Sequence, residues 1–169
     1  MRIVVDTNIA FSAIINTNSK IAKIILRPKT RLNFYSTEHL LFEIGKHKKK
    51  IKEISNYTDL ELERSITLIT NKIRFINIKL IPKEFYVFAE NFTHNIDIDD
   101  TEFVALTRHI KGKLWSGDKI LISGLNTKGW RKITTTEELF ESVTKLRKLN
   151  LRTIAVWQNC WFSVPQSFR

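Results

Sequence analysis

Cysteine is nearly absent from this chain of 169 residues, which carries only Cys160. A lone thiol excludes an internal disulfide framework and fits a reducing cytosol. Proline and glycine are also sparse, with three and five residues, and no low-complexity linker or internal repeat interrupts the chain. No apolar run approaches the roughly 20 residues that a membrane-crossing helix requires. Met1-Arg2 leads straight into Ile3-Val4-Val5, without a secretory h-region. The expectation is a soluble, cytoplasmic protein with no membrane partner. Acids are in deficit, 17 Asp and Glu against 28 Lys and Arg, for a net charge of +11. None occurs after Glu141. Such a charge points to a polyanionic partner, nucleic acid being the simplest. Solvated lysines give the same balance, because net charge speaks to association and not to fold.

One domain is the default at this length, and it is long enough to bury a full core without a structural metal. Ile3–Val5 reads as a short buried strand, and Asn8–Ile15 and Lys20–Leu26 as helices, the second ended by Pro28. Leu32–Tyr35 reads as a second strand. Ser36-Thr37 then offers an N-cap to a helix marked by Leu40, Leu41, Ile44, Ile51 and Ile54. Leu60–Ile73 has helical spacing, Phe75–Ile81 alternates like a third strand, and Pro82 suits the first turn of a helix through Asn91. Asp99 or Asp100 can cap a helix to Ile110; Leu114-Trp115 and Trp130–Ile133 supply the fourth and fifth strands. Thr134 with Glu137, and Thr135 with Glu138, form capping-box patterns that open a helix through Leu146. Strands alternating with helices predict an α/β fold whose central, largely parallel sheet of about five strands is flanked by helices.

Against this basic background four acids stand at structural junctions: Asp6 after the first strand, Glu43 in the third helix, Asp100 in the cluster Asp97-Ile98-Asp99-Asp100, and Asp118 after Ser116-Gly117. In an open parallel sheet, ligands gather beyond the carboxyl ends of the strands. Asp6 and Asp118 can therefore share one crevice, and Asp100 can reach it from a helix start. Converging carboxylates cannot all stay ionised without a counter-charge. A divalent cation such as Mg²⁺ or Mn²⁺ provides one, and hard oxygen ligands suit it. Each acid also has an ordinary structural use: Asp6 and Asp118 as N-caps, the Asp97–Asp100 group as a cluster favoured by a helix dipole, Glu43 as a solvated helix residue.

The combination resembles a PIN-domain ribonuclease, most similar to the VapC-like toxin branch of bacterial toxin–antitoxin systems. The resemblance is carried by Val4-Val5-Asp6-Thr7-Asn8 with Ser12, by Thr37 through Leu41-Phe42-Glu43-Ile44, by Asp97 through Leu106, by Leu114 through Leu121, and by Trp130–Thr134 with Glu137–Phe140. It places a single PIN-like nuclease domain at residues 1–147. Residues 148–169 form a C-terminal tail without a counterpart. It is open to reading as an added strand, an RNA-stacking or partner-docking segment, or non-native sequence. The resemblance implies catalytic Asp6, Glu43, Asp100 and Asp118, with Asp6, Asp100 and Asp118 holding Mg²⁺ or Mn²⁺ and Asp99 competing with Asp100 for the metal. Asn8, Ser116 and Asp97 become supporting residues. Lys46, Lys48, Lys49 and Lys50 lie just past Glu43; Lys46 and Lys49 are candidates to track the RNA backbone, and a solvated basic helix face is the alternative. Ile98 stands where the family often has proline. An RNA substrate, a cognate antitoxin and a homodimer are the implied partners. The implied reaction is metal-dependent hydrolysis of RNA; the alternatives are a non-catalytic PIN-like RNA- or protein-binding module and an RNA-processing nuclease without an antitoxin. A haloacid dehalogenase-type phosphatase needs a second Asp where Asn8 stands, and a phospho-receiver domain orders its acids differently.

Overall fold

β1 (Arg2–Val5) is buried on both faces, Ile3, Val4 and Val5 all being inaccessible to solvent. A strand of this kind belongs at the centre of a sheet covered on both sides. In the computed structural model, which describes residues 1–27 and 31–144, β1 pairs in parallel with β2 (Asn33–Thr37) on one side and β4 (Lys113–Trp115) on the other. β3 (Ile73–Ile76) and β5 (Ile133–Thr134) extend the two edges, also in parallel. The sheet order is β3-β2-β1-β4-β5. The chain thus winds outward from β1 in one direction and later returns to its other side, so the order reverses between β1 and β4. At that reversal the connections after the two strands diverge and leave a crevice at their carboxyl ends.

One face of the sheet is covered by α1 (Thr7–Ile15), α2 (Lys20–Leu26), α3 (His39–Ser55) and α4 (Asp59–Thr70), with a helix over residues 136–144 contributing Leu139. The opposite face carries α5 (Lys83–Thr93), α6 (Thr101–His109) and α7 (Lys119–Thr127). The period-2 alternation of the strands divides these layers: Ile3, Val5 and Trp115 point into the first core, Val4 and Leu114 into the second. Trp115 is fully buried, packs 6.0 Å from Phe34 and donates its indole N–H to Thr136 Oγ1 at 3.1 Å.

Several boundaries differ from the sequence expectation. Ser36 and Thr37 do not cap α3 but end β2, where Ser36 Oγ donates to the Val5 carbonyl at 2.8 Å; Glu38 occupies the cap position without a side-chain cap bond, its carboxylate accepting from Asn77 Nδ2 instead. The expected strand Phe75–Ile81 begins at Ile73 and stops at Ile76, because β2 ends at Thr37 and offers no further partner. A 3₁₀ turn over Ile78–Leu80, capped by Asn77, follows. Leu41, Ile54 and Leu60 are exposed, whereas Leu40, Ile44, Ile51, Leu62 and Ile69 are buried. Of the two capping-box patterns, Thr135 with Glu138 forms; Glu137 instead pairs with Lys20. Pro28, Leu146 and the tail 148–169 lie outside the described residues. Among the described residues no single helix is long and apolar enough to cross a membrane.

Candidate active site

Asp6 and Asp118 occupy equivalent places on neighbouring strands. Each N-caps the helix that follows its strand: Asp6 comes directly after β1, and Asp118 comes after Ser116 and Gly117 beyond β4. Asp6 Oδ1 accepts the Ile9 N–H at 2.7 Å, and Asp118 Oδ1 accepts both the Ile120 and Leu121 N–H groups, at 2.7 and 3.1 Å. The capping uses expected of these residues are therefore realised. They do not exhaust the groups, because both of the Asp118 bonds go to Oδ1.

Asp6 is 2% exposed. Burial pushes its carboxyl up to about 6, from an ordinary 3.8. Hydrogen bonding from Ser116, Ile9 N–H and Gly117 N–H pulls the other way, and the charge of Asp118 adds to the rise. Ser116 is itself buried, and its Oγ accepts the Asp118 N–H at 3.0 Å. It thereby connects the two acids.

Asp100 sits at the N-cap position of α6 but makes no side-chain cap bond. Its carboxyl is raised further, to about 7. Desolvation is the main cause, followed by the charges of Asp6, Asp97, Asp118 and Asp99. The structure thus brings Asp100, Asp6 and Asp118 within mutual electrostatic reach. Asp97 and Asp99 are exposed, and Asp97 Oδ1 accepts the Asp99 N–H at 2.9 Å, which folds the loop ahead of α6 into an Asx turn. Asp99 and Asp100 both face a cavity of about 370 Å³.

Glu43 lines that same cavity from α3. Desolvation raises its carboxyl, but Lys46, His47 and His39 outweigh it and hold the group below the usual carboxylate range. Lys46 Nζ and His47 Nε2 stand 3.2 Å from the carboxylate and His39 Nε2 3.5 Å. Their spacing, one turn before Glu43 and one turn after it, is a signal that was present in the sequence. His39 also reaches Glu102 through Nδ1 at 3.5 Å, so it lies between an α3 and an α6 carboxylate. Thr7, Phe42 and Phe103 complete the cavity wall; sequence reasoning had not singled them out. Asn8 is exposed, and its backbone carbonyl accepts Ser12 Oγ, leaving Thr7 as the α1 residue at the cavity. Lys46 also lines the cavity, whereas Lys49 is exposed and outside its lining.

The site therefore has two parts. Asp6, Asp100 and Asp118 bring carboxylates together with no salt bridge to any of them among the described residues, whereas Glu43 has Lys46 and two histidines around it. The first part has the donor chemistry of a hard divalent cation, whose charge would return Asp6 and Asp100 to their ionised forms. Among the described residues, no three His, Cys, Asp or Glu side chains are drawn into a ready-made ligand cluster.

The sequence model of the PIN domain family matches residues 4–155. The chain belongs to the PIN domain family. Chains with this domain are generally nucleases. Among solved structures, a chain in the crystal structure of VapBC2 from Rickettsia felis bound to a DNA fragment from their promoter has the same fold. The TM-score is 0.57 at 12% identity, over 80% of this PIN chain and 97% of that one. No curated protein matches the sequence.

Proposed function

We propose that this PIN-domain chain is a Mg²⁺- or Mn²⁺-dependent endoribonuclease and the toxin of a type II toxin–antitoxin pair. The observation that carries the nuclease reading is the charge state at the switch point. Asp6 is buried and Asp100 is surrounded by acids, and both carboxyls are raised into the range where a bound cation decides their ionisation. Asp6, Asp100 and Asp118 are the residues that would hold the ion, with Asp99 as the competing ligand to Asp100. When bound there, the cation supplies Lewis acidity toward a phosphodiester and lowers the pKa of a water nucleophile.

The chain's own residues have separable tasks. Ser116 fixes Asp6 relative to Asp118, and the helix caps hold both side chains in one orientation. Glu43, kept ionised by Lys46, His39 and His47, accepts a proton or orients a water from the far wall of the cavity. Lys46 faces the scissile phosphate's negative charge. Asn8 acts through its backbone carbonyl at the start of α1, and Asp97 through its carboxylate, which accepts the Asp99 N–H and orders the loop before α6. The toxin reading draws on the VapBC2 likeness in fold. It is also favoured by exposed apolar residues at the acidic mouth: Phe42 in the cavity wall, Ile98 between Asp97 and Asp99, and Ile120 next to the Asp118 cap. A cognate antitoxin would cover them. The decisive test is RNA cleavage by wild type and Asp6→Asn across Mg²⁺ and Mn²⁺ titrations. Retained binding without cleavage under any metal would favour a PIN-like RNA-binding module instead.

A further inference from the structure

A second cavity, of about 350 Å³, lies at the opposite end of α6 from Asp100. Its wall carries Arg108 and His109 from the last turn of α6, Lys111 from the following turn, Lys132 from the residue before β5, and Phe85 from α5. Arg108, Lys111 and Lys132 are exposed, and none is ion-paired with a carboxylate among the described residues. Lys20, Lys46, Lys48 and Lys52 each have a carboxylate partner, whereas exposed Lys23 and Lys72, like the cavity's cations, have none among the described residues, so it is their grouping in one cavity that sets Arg108, Lys111 and Lys132 apart. Two of the cavity's cations follow the dipole of α6, whose C-terminal carbonyls favour positive charge. Lys132 belongs to a different strand connection, so the dipole does not account for it.

Aromatic rings are interleaved with these charges. The Phe85 and His109 rings meet edge to face at 5.4 Å, and the Arg108 guanidinium lies 4.8 Å over Phe88. These ring contacts hold Arg108 and His109 against α5 at the cavity wall, where a phosphate backbone would meet them. The other end of the helix has the reverse character: Asp97, Asp99, Asp100 and Glu102 gather at its N-terminus. A polyanion is repelled by that end, so it needs an anchor elsewhere on the molecule. The nine residues of α6 separate the two ends by about 14 Å at the usual helical rise.

We propose that this basic cavity is a phosphate-binding subsite, outside the acidic crevice, that anchors backbone phosphates of the RNA. The assignment of RNA as its occupant rests on the nuclease reading; the phosphate chemistry of the cavity does not. The test uses the full chain in chelator, a fluorescently labelled single-stranded RNA, and binding measured over a salt series. Lys111→Ala/Lys132→Ala is compared with Lys23→Ala/Lys72→Ala, which removes the same charge from exposed positions on α2 and just after α4.

Losing two backbone contacts should lower the slope of log K against log salt by about 1.4, at about 0.7 per phosphate on a single strand. Affinity should fall by about tenfold or more in low salt, whereas the control pair should leave the slope unchanged. With metal, the cavity variant should raise KM for a long RNA and leave a dinucleotide, too short to span both ends, unaffected. Equal losses in both double variants, or none in either, would overturn the subsite. Loss of inorganic phosphate binding in the cavity variant, with RNA binding intact, would overturn RNA as the occupant and leave a free phosphate compound. If no metal supports cleavage yet the cavity variant alone loses RNA, the subsite stands and the nuclease reading falls.

Discussion

Replacing Asp6 by Asn should stabilise the metal-free protein at alkaline pH while removing its activity. The Asp6 carboxyl is raised from 3.8 in the unfolded chain to about 6 in the folded one, chiefly by burial. The folded state therefore holds its proton more tightly than the unfolded state. Stability from this group is complete below pH 3.8 and is lost as pH rises through about 6. At about 1.4 kcal/mol per pH unit, ionising Asp6 in the fold costs about 3 kcal/mol. Asn keeps the N-cap to Ile9, since Asn and Asp cap equally well. It cannot accept with both side-chain atoms, so a donor such as the Gly117 N–H loses its partner, at about 1 kcal/mol. The net gain is about 2 kcal/mol at about pH 8, or about 4–8 °C in Tm for a chain of this size. Relief of Asp100 from the Asp6 charge acts in the same direction. Thermal unfolding of both proteins in chelator, at about pH 8 and below 3.8, measures this. The variant should be more stable at the higher pH and slightly less stable at the lower. Mg²⁺ should then raise the Tm of wild type alone. A variant that is destabilised equally at both pH values would refute the buried-charge reasoning.

Three further outcomes follow from other contacts. Metal uptake near pH 6 should release protons, because Asp6 and Asp100 are raised to about 6 and about 7. Affinity by calorimetry should weaken as pH falls through that range, and a flat pH dependence would contradict it. Ser116→Ala removes a hydrogen bond that lowers Asp6 and the acceptor of the Asp118 N–H. The acidic limb of the cleavage–pH profile should therefore move to higher pH, with fold retained by circular dichroism. Thr58→Ala breaks the capping box in which Thr58 and Glu61 satisfy each other's backbone N–H groups. It should cost about 1 kcal/mol in urea unfolding and leave cleavage unchanged.

Much of the fold was legible because local chemistry and packing agree. Val4 and Val5, buried on both faces, could be nothing but central strand, and Lys20–Leu26 forms the helix its spacing predicts. Disagreements arise where a partner strand, invisible locally, decides the boundary. The alternation of Phe75–Ile81 is real, but only residues opposite β2 can pair. β5 starts at Ile133 because β4 spans just three residues, and Trp130 goes instead into the core beside Phe92. Ser36 and Thr37 have capping chemistry, yet the hydroxyl of Ser36 is spent on the Val5 carbonyl.

The same contrast holds at the site. Asp6 and Asp118 were readable because strand ends in a parallel sheet point to one crevice. Glu43 was not readable from apolar periodicity, since its significance depends on α3 packing beside α6 through His39, Glu102 and the shared cavity. The difference in burial between Asp99 and Asp100 was likewise not visible in the sequence. Asp100 is the more enclosed and feels Asp6 and Asp118, while Asp99 is exposed.

The central claim is that the carboxylates at the switch point hold a divalent cation for phosphodiester hydrolysis. RNA cleavage by wild type and Asp6→Asn, measured across Mg²⁺ and Mn²⁺ titrations from a chelator baseline, tests it most directly. Wild type should cleave only with metal and the variant, still folded, should not cleave at any concentration. Cleavage in chelator, or equal cleavage by the variant, would contradict the account.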